Sequence, residues 1–340
     1  MINENIAVIG AGSWGTALSL HLAEKFEQGS LWVYEKQLCN IIIKERENKW
    51  FLPNIFLPEN IIPDNSIDKV AQDQQILLLV VPTQVLGKVT KRLKPFIKPQ
   101  TIIINASKGI DYDSLTPCHK IIGNNLGHSC EIATISGPTF AKEVANKVPS
   151  ALLAASKSED TAKIIQRIFS SQKMKVFTST DIMGVEIGGA LKNVIAIASG
   201  ICDGLNLGFN TRAALITRGL VEIARIGTEM GAKPETFYGL SGLGDLVLTC
   251  TGELSRNRNF GVQLGQGKSL NKITENMRMI VEGVTTVKSA HRLIQKLSIQ
   301  ASVMEQTYKV IYEGKSPKKA LNDLMEIEIS KEFSGIKGIA

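Results

Sequence analysis

Lys192 is the residue best placed in this sequence to move a proton. It lies in the run Val185–Gly204, VEIGGALKNVIAIASGICDG, where it and Asn193 interrupt an otherwise apolar helical pattern. A lysine in such a setting is costly unless it has a partner or a task. Burial also lowers its pKa toward the working range of a general acid or base. The plain alternative is a lysine that snorkels its charge out to water. Gly188, Gly189 and Lys192 fall three to four residues apart and so share a helix face, where small residues admit a cofactor or a second backbone. Asp245, in Leu240–Thr251 (LSGLGDLVLTCT), is a carboxylate among glycines and apolar residues. It can hold Lys192 in place or assist the proton transfer; a helix cap is the simpler reading.

A second set of residues points to an anion. Ser255–Gly261 reads SRNRNFG, with Ser255 as a helix N-cap and Arg256, Asn257 and Arg258 in the first turn. The helix dipole disfavours arginine there, and a phosphate bound at that N-terminus would resolve the conflict. Lys108 follows an apolar run in Asn105–Gly109 (NASKG), which places it at a strand end unless it is a surface lysine. Ser136–Ala141 (SGPTFA) closes another apolar run and opens a helix. Gly137 and Thr139 would bring an N–H and a hydroxyl to a ligand, or Thr139 or Ser136 would simply cap the helix.

Asn5–Gly15 reads NIAVIGAGSWG, so that Gly10, Gly12 and Gly15 form G-x-G-x-x-G between a strand and a helix. The first glycine permits the tight turn, the second lets backbone approach a pyrophosphate, and the third lets helix pack on strand. Alone the motif is weak, and a ligand-free turn is the alternative. Here a second strand ends near Glu35 at the expected distance. The implied cofactor is NAD or NADP. Glu35 suits a free ribose 2′-hydroxyl and Lys36 a 2′-phosphate, so the local signals conflict. Ser13, Trp14 and Tyr34 are candidate contacts to the pyrophosphate, the nicotinamide side and the adenosine, with packing as Trp14's other reading.

These residues need a scaffold. Ile6–Ile9, Ser30–Tyr34, Gln75–Val81, Thr101–Asn105 and Ile132–Ile135 read as strands, with Ala151–Ala155 and Lys175–Thr178 as weaker ones. Ser13–Phe26, Gln84–Leu93 and Glu159–Ser170 read as helices between them. Near-continuous apolar strands alternating with helices predict an α/β, Rossmann-type doubly wound and mostly parallel sheet. After about Thr180 only helical patterns follow: Asp181–Cys202, Asn210–Gly231, Val281–Leu297 and Ala301–Glu313. The expected organisation is a dinucleotide-binding domain over 1–188, an all-α substrate and catalytic domain over 189–330, and a loose tail over 331–340. The chain's length favours two domains, since single cores rarely grow past ~250–300 residues.

Composition narrows the classes. The net charge is +7, but Lys and Arg are spread along the chain and form no arm or stripe. That favours small anionic ligands over nucleic acid. Five cysteines without a CxxC pair read as reduced thiols in a cytosolic protein. Four scattered histidines without HxxxH spacing give no reason to expect a metal. Ile76–Val81 is far short of a membrane span, so no membrane insertion is expected.

The motifs together resemble bacterial NAD(P)-dependent glycerol-3-phosphate dehydrogenases over nearly the whole length. The resemblance is carried by GAGSWGTAL at Gly10–Leu18, SKG at Ser107–Gly109, SGPTFAKEVA at Ser136–Ala145 and GVEIGGALKNVIAIASGICDG at Gly184–Gly204. It continues in NTRAALITRGL at Asn210–Leu220, GLGDLVLTCT at Gly242–Thr251, SRNRNFG at Ser255–Gly261 and VEG at Val281–Gly283. It implies Lys192 as proton acceptor and Lys108 as a contact to both cofactor and substrate. It implies Gly137, Thr139, Asp245, Ser255, Arg256 and Asn257 as substrate contacts, and Ser13, Trp14, Tyr34, Ala141, Arg256, Ile280 and Glu282 as cofactor contacts. The implied reaction interconverts dihydroxyacetone phosphate and sn-glycerol 3-phosphate for phospholipid synthesis in the cytoplasm; a homodimer is compatible with it. Tyr34 stands where many members carry Arg or His, which argues against a strong NADP preference. Val284 stands where some carry Tyr. A related two-domain dehydrogenase acting on 6-phosphogluconate or a 3-hydroxy acid is the nearest rival, disfavoured by SRNR and GLGDL. A catalytically dead dinucleotide sensor is disfavoured by the intact Lys192, Lys108 and Asp245.

Overall fold

The computed structural model describes residues 4–127, 130–275, 282–328 and 331–339. They divide into two compact units, 1–107 with 118–182, and 108–117 with 183–340.

The strands of the first unit are β1 (Ile6–Ile9), β2 (Gly29–Trp32), β3 (Glu47–Asn48), β4 (Leu52–Phe56), β5 (Ile61–Asp64), β6 (Ile76–Leu79), β7 (Ile102–Asn105), β8 (Glu131–Ser136), β9 (Ser150–Ser156) and β10 (Met174–Ser179). Its helices are α1 (Ser13–Ala23), α2 (Lys36–Glu45), α3 (Ile67–Ala71), α4 (Thr83–Leu93), α5 (Cys118–Leu126), α6 (Ala141–Ala145) and α7 (Glu159–Phe169). Eight strands form one sheet in the order β10-β9-β8-β7-β6-β1-β2-β5. All neighbours are parallel except β8 and β9, so the sheet is doubly wound and mostly parallel, as expected. Alternate residues of the central strands feed two apolar layers. Val8, Leu78 and Ile104 join one, and Ala7, Leu77 and Ile103 join the other. Burial on both faces is what their continuous apolar sequence requires. The chain runs from β1 outward to β2 and later returns on the other side to β6. The switch point, where such sheets hold ligands, therefore lies at the carboxyl ends of β1 and β6.

β5 was not expected. It carries Pro63, which removes a ladder donor, and it is tolerated because β5 is the sheet edge. The β3–β4 hairpin was likewise not expected.

The second unit is built on α8 (Ile182–Gly204), α9 (Gly208–Glu229), α10 (Asp245–Thr251), α11 (Arg256–Gly265), α12 (Leu270–Thr274), α13 (Glu282–Leu297), α14 (Ser302–Tyr312) and α15 (Pro317–Met325). The described residues of this unit form no named strand. Helix α8 is long and apolar enough to cross a membrane, yet its most apolar stretch is wholly buried in the protein. It is the core helix, with Val194, Ile195 and Ile197 fully enclosed beside Phe237, Leu246 and Phe260. Two glycine pairs let α8 and α11 cross with backbones nearly touching. A Cβ on Gly200 would sit 2.0 Å from the Arg258 carbonyl oxygen, and one on Gly261 2.0 Å from that of Ile197.

Residues 108–117 join this unit. The Ser289 hydroxyl donates to the Ile110 carbonyl at 3.0 Å, and the Arg292 guanidinium lies 4.7 Å from the Tyr112 ring centre. At the other end, Ile336 is buried in the core and Lys337 pairs with Glu229 at 2.8 Å, so the segment read as a tail packs back on α9.

Candidate active site

In the first unit, Gly10 turns the chain between β1 and α1 with φ +119°, a backbone angle that L side chains rarely adopt. A Cβ on Gly15 would meet the Gly10 carbonyl oxygen at 1.9 Å, so only glycine lets α1 start there. A Cβ on Gly12 would meet nothing within 4 Å. Gly12 is the N-cap of α1 and makes no side-chain cap. The result is an open backbone cradle on the positive end of a helix, which fits a dinucleotide pyrophosphate.

Asn48, fully buried and unremarked in the sequence, braces this cradle. Its amide donates to the Ala11 carbonyl at 2.7 Å and the Thr16 hydroxyl at 2.8 Å, and its oxygen accepts from the Phe51 N–H. The only sequence signal was an amide in an otherwise unreadable loop. The Ser13 hydroxyl donates to the Phe51 carbonyl at 2.6 Å. Trp14 packs against the core, its indole N–H enclosed and unpartnered. Tyr34 is 72% exposed at the end of β2, its ring edge-on to Trp32 at 5.8 Å.

Helix α6 packs on α1, so the SGPTFA segment and the cradle come together. Neither Ser136 nor Thr139 caps α6. Its N-cap is Phe140, without a side-chain bond. Thr139 donates to the Gly137 carbonyl, and the Ser136 hydroxyl is buried and unpartnered. Gly137 holds φ +155°, where a Cβ would press on the Ala151 carbonyl oxygen at 2.8 Å. Ala141 is the first residue of α6.

In the second unit, Lys192 is 6% exposed and does not snorkel. Its ammonium donates to Asp245 Oδ1 and to the Thr249 hydroxyl, the latter at 2.8 Å. Lys108 donates to the other oxygen of the same carboxylate, Asp245 Oδ2, at 2.8 Å. Two lysines therefore share one buried carboxylate, and their combined charge suits an anion. Asp245 opens α10, but its side chain does not cap it. Burial alone would raise the Asp245 pKa; Lys108 and Lys192 together outweigh it and hold the carboxyl below its ordinary value. Burial lowers Lys192 to about 8; Asp245 opposes this, and Lys108 adds to it. Lys192 is thus poised between acid and base near neutral pH. Thr249, one turn beyond Asp245, was not singled out from the sequence, although the i,i+4 spacing places both on one face.

Ser255 caps α11 by accepting from the Arg258 N–H at 3.2 Å. Arg258 is held by Asp203 at 2.7 Å, which also pairs with Arg212 at 3.0 Å. Its conflict with the helix dipole is thus settled by a protein carboxylate. Asn257 links three segments. It donates to Asn193 Oδ1 at 2.9 Å and accepts from the Gly283 N–H at 3.1 Å. Glu282, at the start of α13, has its pKa raised by burial against the pull of Arg256, Lys108 and Lys192. Ile280 lies outside the described residues. Gly188 meets a second backbone, its Cβ position 2.9 Å from the Ser241 carbonyl oxygen.

A cradle shaped for a dinucleotide and a buried lysine tuned near neutrality, carried by one chain, define a nicotinamide-dependent dehydrogenase. Comparison with known proteins narrows the class. Family models described as NAD-dependent glycerol-3-phosphate dehydrogenase N-terminus and C-terminus match residues 5–162 and 181–322. The chain is 46% identical to glycerol-3-phosphate dehydrogenase (NAD(P)+) of Syntrophobacter fumaroxidans, over 96% of this chain and 97% of that one. It is 48% identical to the protein of the same name from Geobacter metallireducens, over 95% and 97%. The crystal structure of glycerol-3-phosphate dehydrogenase from Coxiella burnetii superposes with a TM-score of 0.92 at 38% identity, covering 95% of this chain and 99% of that one. The chain belongs to the NAD-dependent glycerol-3-phosphate dehydrogenase family.

Proposed function

We propose that the enzyme interconverts dihydroxyacetone phosphate and sn-glycerol 3-phosphate, with Lys192 as the acid and base. The observation that carries this reading is the pairing of Lys192 and Lys108 with one buried carboxylate, Asp245. When bound in the cradle, the nicotinamide supplies or accepts the hydride at substrate C2. In reduction, Lys192 gives a proton to the carbonyl oxygen as it becomes an alkoxide; in oxidation it takes the proton of the C2 hydroxyl. Asp245 and Thr249 orient the ammonium. Lys108 adds charge against the anionic substrate. Arg256 holds the phosphate at the N-terminus of α11, with Ser255 and Asn257 forming that helix start. Gly137 and Thr139 complete the substrate contacts.

On the cofactor side the reading assigns Gly10, Gly12, Ser13, Trp14, Gly15, Tyr34, Lys108, Ala141, Arg256, Ile280 and Glu282. Ser13 would act through its backbone, since its hydroxyl is engaged by Phe51. Glu35 and Lys36 oppose each other at the ribose, so both NADH and NADPH serve. Lys192 supplies the acid, and the reading calls on no metal. It takes 1–188 as the cofactor domain and 189–330 as the substrate domain, in a cytoplasmic enzyme that is compatible with a homodimer, binds no nucleic acid, inserts in no membrane and supplies glycerol 3-phosphate for phospholipid synthesis.

The test is Lys192→Met, which fills similar space without a charge. Turnover should fall ~10²–10⁴-fold, while NADH still binds by fluorescence titration. Near-normal turnover would remove Lys192 from the acid–base role.

A further inference from the structure

The fingerprint turn carries carbonyls as well as N–H groups, and an anion is held by one and repelled by the other. Ala11 stands between Gly10 and Gly12, so the peptide units on either side of it meet little steric restraint. If the unit between Ala11 and Gly12 turned over, the Ala11 oxygen would replace an N–H against the pyrophosphate.

What holds that oxygen comes from Asn48, 37 positions along the chain. Both N–H bonds of its side-chain amide are engaged, one to the Ala11 carbonyl at 2.7 Å and the other to the Thr16 hydroxyl at 2.8 Å. The Thr16 hydroxyl donates in turn to the same Ala11 carbonyl at 3.4 Å. The Ala11 oxygen therefore faces a fully buried side chain and accepts from two donors. The Asn48 oxygen accepts from the Phe51 N–H at 3.0 Å, and the Ser13 hydroxyl donates to the Phe51 carbonyl at 2.6 Å. The β3–β4 hairpin is thus joined to the turn at Ala11 and again at Ser13.

We propose that Asn48 is a positioning residue for the cofactor. It keeps the Ala11 carbonyl turned into the protein, so that the start of α1 offers the pyrophosphate N–H groups and no oxygen. Being fully buried, it acts through Ala11 and not by contact. This rests on the reading of Gly10, Gly12 and Gly15 as the pyrophosphate cradle and names what keeps that cradle in shape.

Fluorescence titration of the full-length enzyme with NADH, and its competition by ADP and by adenosine, tests the proposal. Asn48→Leu removes every bond of the amide. Asn48→Asp keeps an acceptor for the Phe51 N–H and removes the donor to Ala11, the milder change should the first variant fail to fold. Both should weaken NADH and ADP by about 10- to 150-fold, the value of one hydrogen bond to a charged group. Adenosine, which has no phosphate, should lose little, and kcat at saturating NADH should hold. A loss shared by Asn48→Leu cannot be charge repulsion. Asn60→Leu is the structural control. Asn60 donates to the Ala23 and Phe26 carbonyls at 2.8 and 3.0 Å, at the other end of α1. It should lower the melting temperature and leave NADH affinity unchanged. Equal losses for ADP and adenosine, or a loss in Asn60→Leu to match, would make the effect one of general stability and overturn the proposal. Gly12→Ala separates it from the reading beneath it, because its Cβ would enter the open cradle. If Gly12→Ala weakens NADH and neither Asn48 variant does, the role of Asn48 falls alone. If Gly12→Ala binds NADH like the wild type, the cradle reading falls and the proposal with it.

Discussion

Lys192 feels two opposed influences, and their balance can be measured. Burial drives its proton off, Asp245 holds it on, and Lys108 pushes with the burial. The result is a pKa of about 8 against an ordinary 10.5. Reduction needs the protonated amine, so its rate should fall as pH rises through about 8. Oxidation needs the neutral amine and should rise over the same interval. Asp245→Asn removes the main charge holding the proton, so the limb of kcat/KM should move to lower pH. A limb that stays in place would assign it to another group. The residue types at this site were legible in the sequence because each breaks a local rule: a lysine in an apolar helix, an aspartate among glycines, arginines at a helix start. Their partners were not. Thr249, the Asn193–Asn257–Gly283 link and the Asp203 pairs with Arg212 and Arg258 depend on which helices meet, and no local pattern encodes that.

At the scale of elements, the reading succeeded where period and length were strong. The Ile6–Ile9 strand and the start of α1 at Ser13 were placed to the residue, and α8 within two residues at its end. It missed pieces too short to show a period, such as α3 and the hairpin, and an edge strand disguised by Pro63. The α8–α11 crossing was also invisible, although Gly200-xxx-Gly204 and Gly261-xxx-Gly265 stand in plain view. Spacing alone does not say which glycines face each other. That crossing sets where Arg256 stands relative to Lys192. Gly261→Ala should therefore force the helices apart, at a cost of ~1–3 kcal/mol. A melting temperature lower by ~2–4 °C per kcal/mol is expected, with a raised KM for dihydroxyacetone phosphate. Gly29→Ala, where a Cβ meets nothing within 4 Å, should change neither. An unaltered melting curve for Gly261→Ala would mean that the contact is not tight.

For the whole molecule, the charge of +7 suits an enzyme whose substrate and cofactor are both anions. Cofactor choice is where that charge is finely divided. Lys36 is exposed and Glu35 half-buried at the start of α2, just beyond β2, where such charges are worth ~1 kcal/mol or less. NADH and NADPH should accordingly be used within a factor of about ten. Glu35→Ala should shift the ratio toward NADPH and Lys36→Ala toward NADH, both shifts shrinking as salt screens them. A strong preference that neither change moves would place selectivity elsewhere, with Tyr34 the first candidate. The most direct measurement is the oxidation of NADH and NADPH in the presence of dihydroxyacetone phosphate and, separately, of unphosphorylated dihydroxyacetone, in the wild type and in Arg256→Ala. The account predicts oxidation that depends on the phosphorylated ketone. It predicts little with the unphosphorylated one, and a loss of that discrimination in Arg256→Ala by about 10- to 150-fold, the value of a charged hydrogen bond. No oxidation with dihydroxyacetone phosphate and either cofactor, or equal rates with both ketones in the wild type, would contradict it.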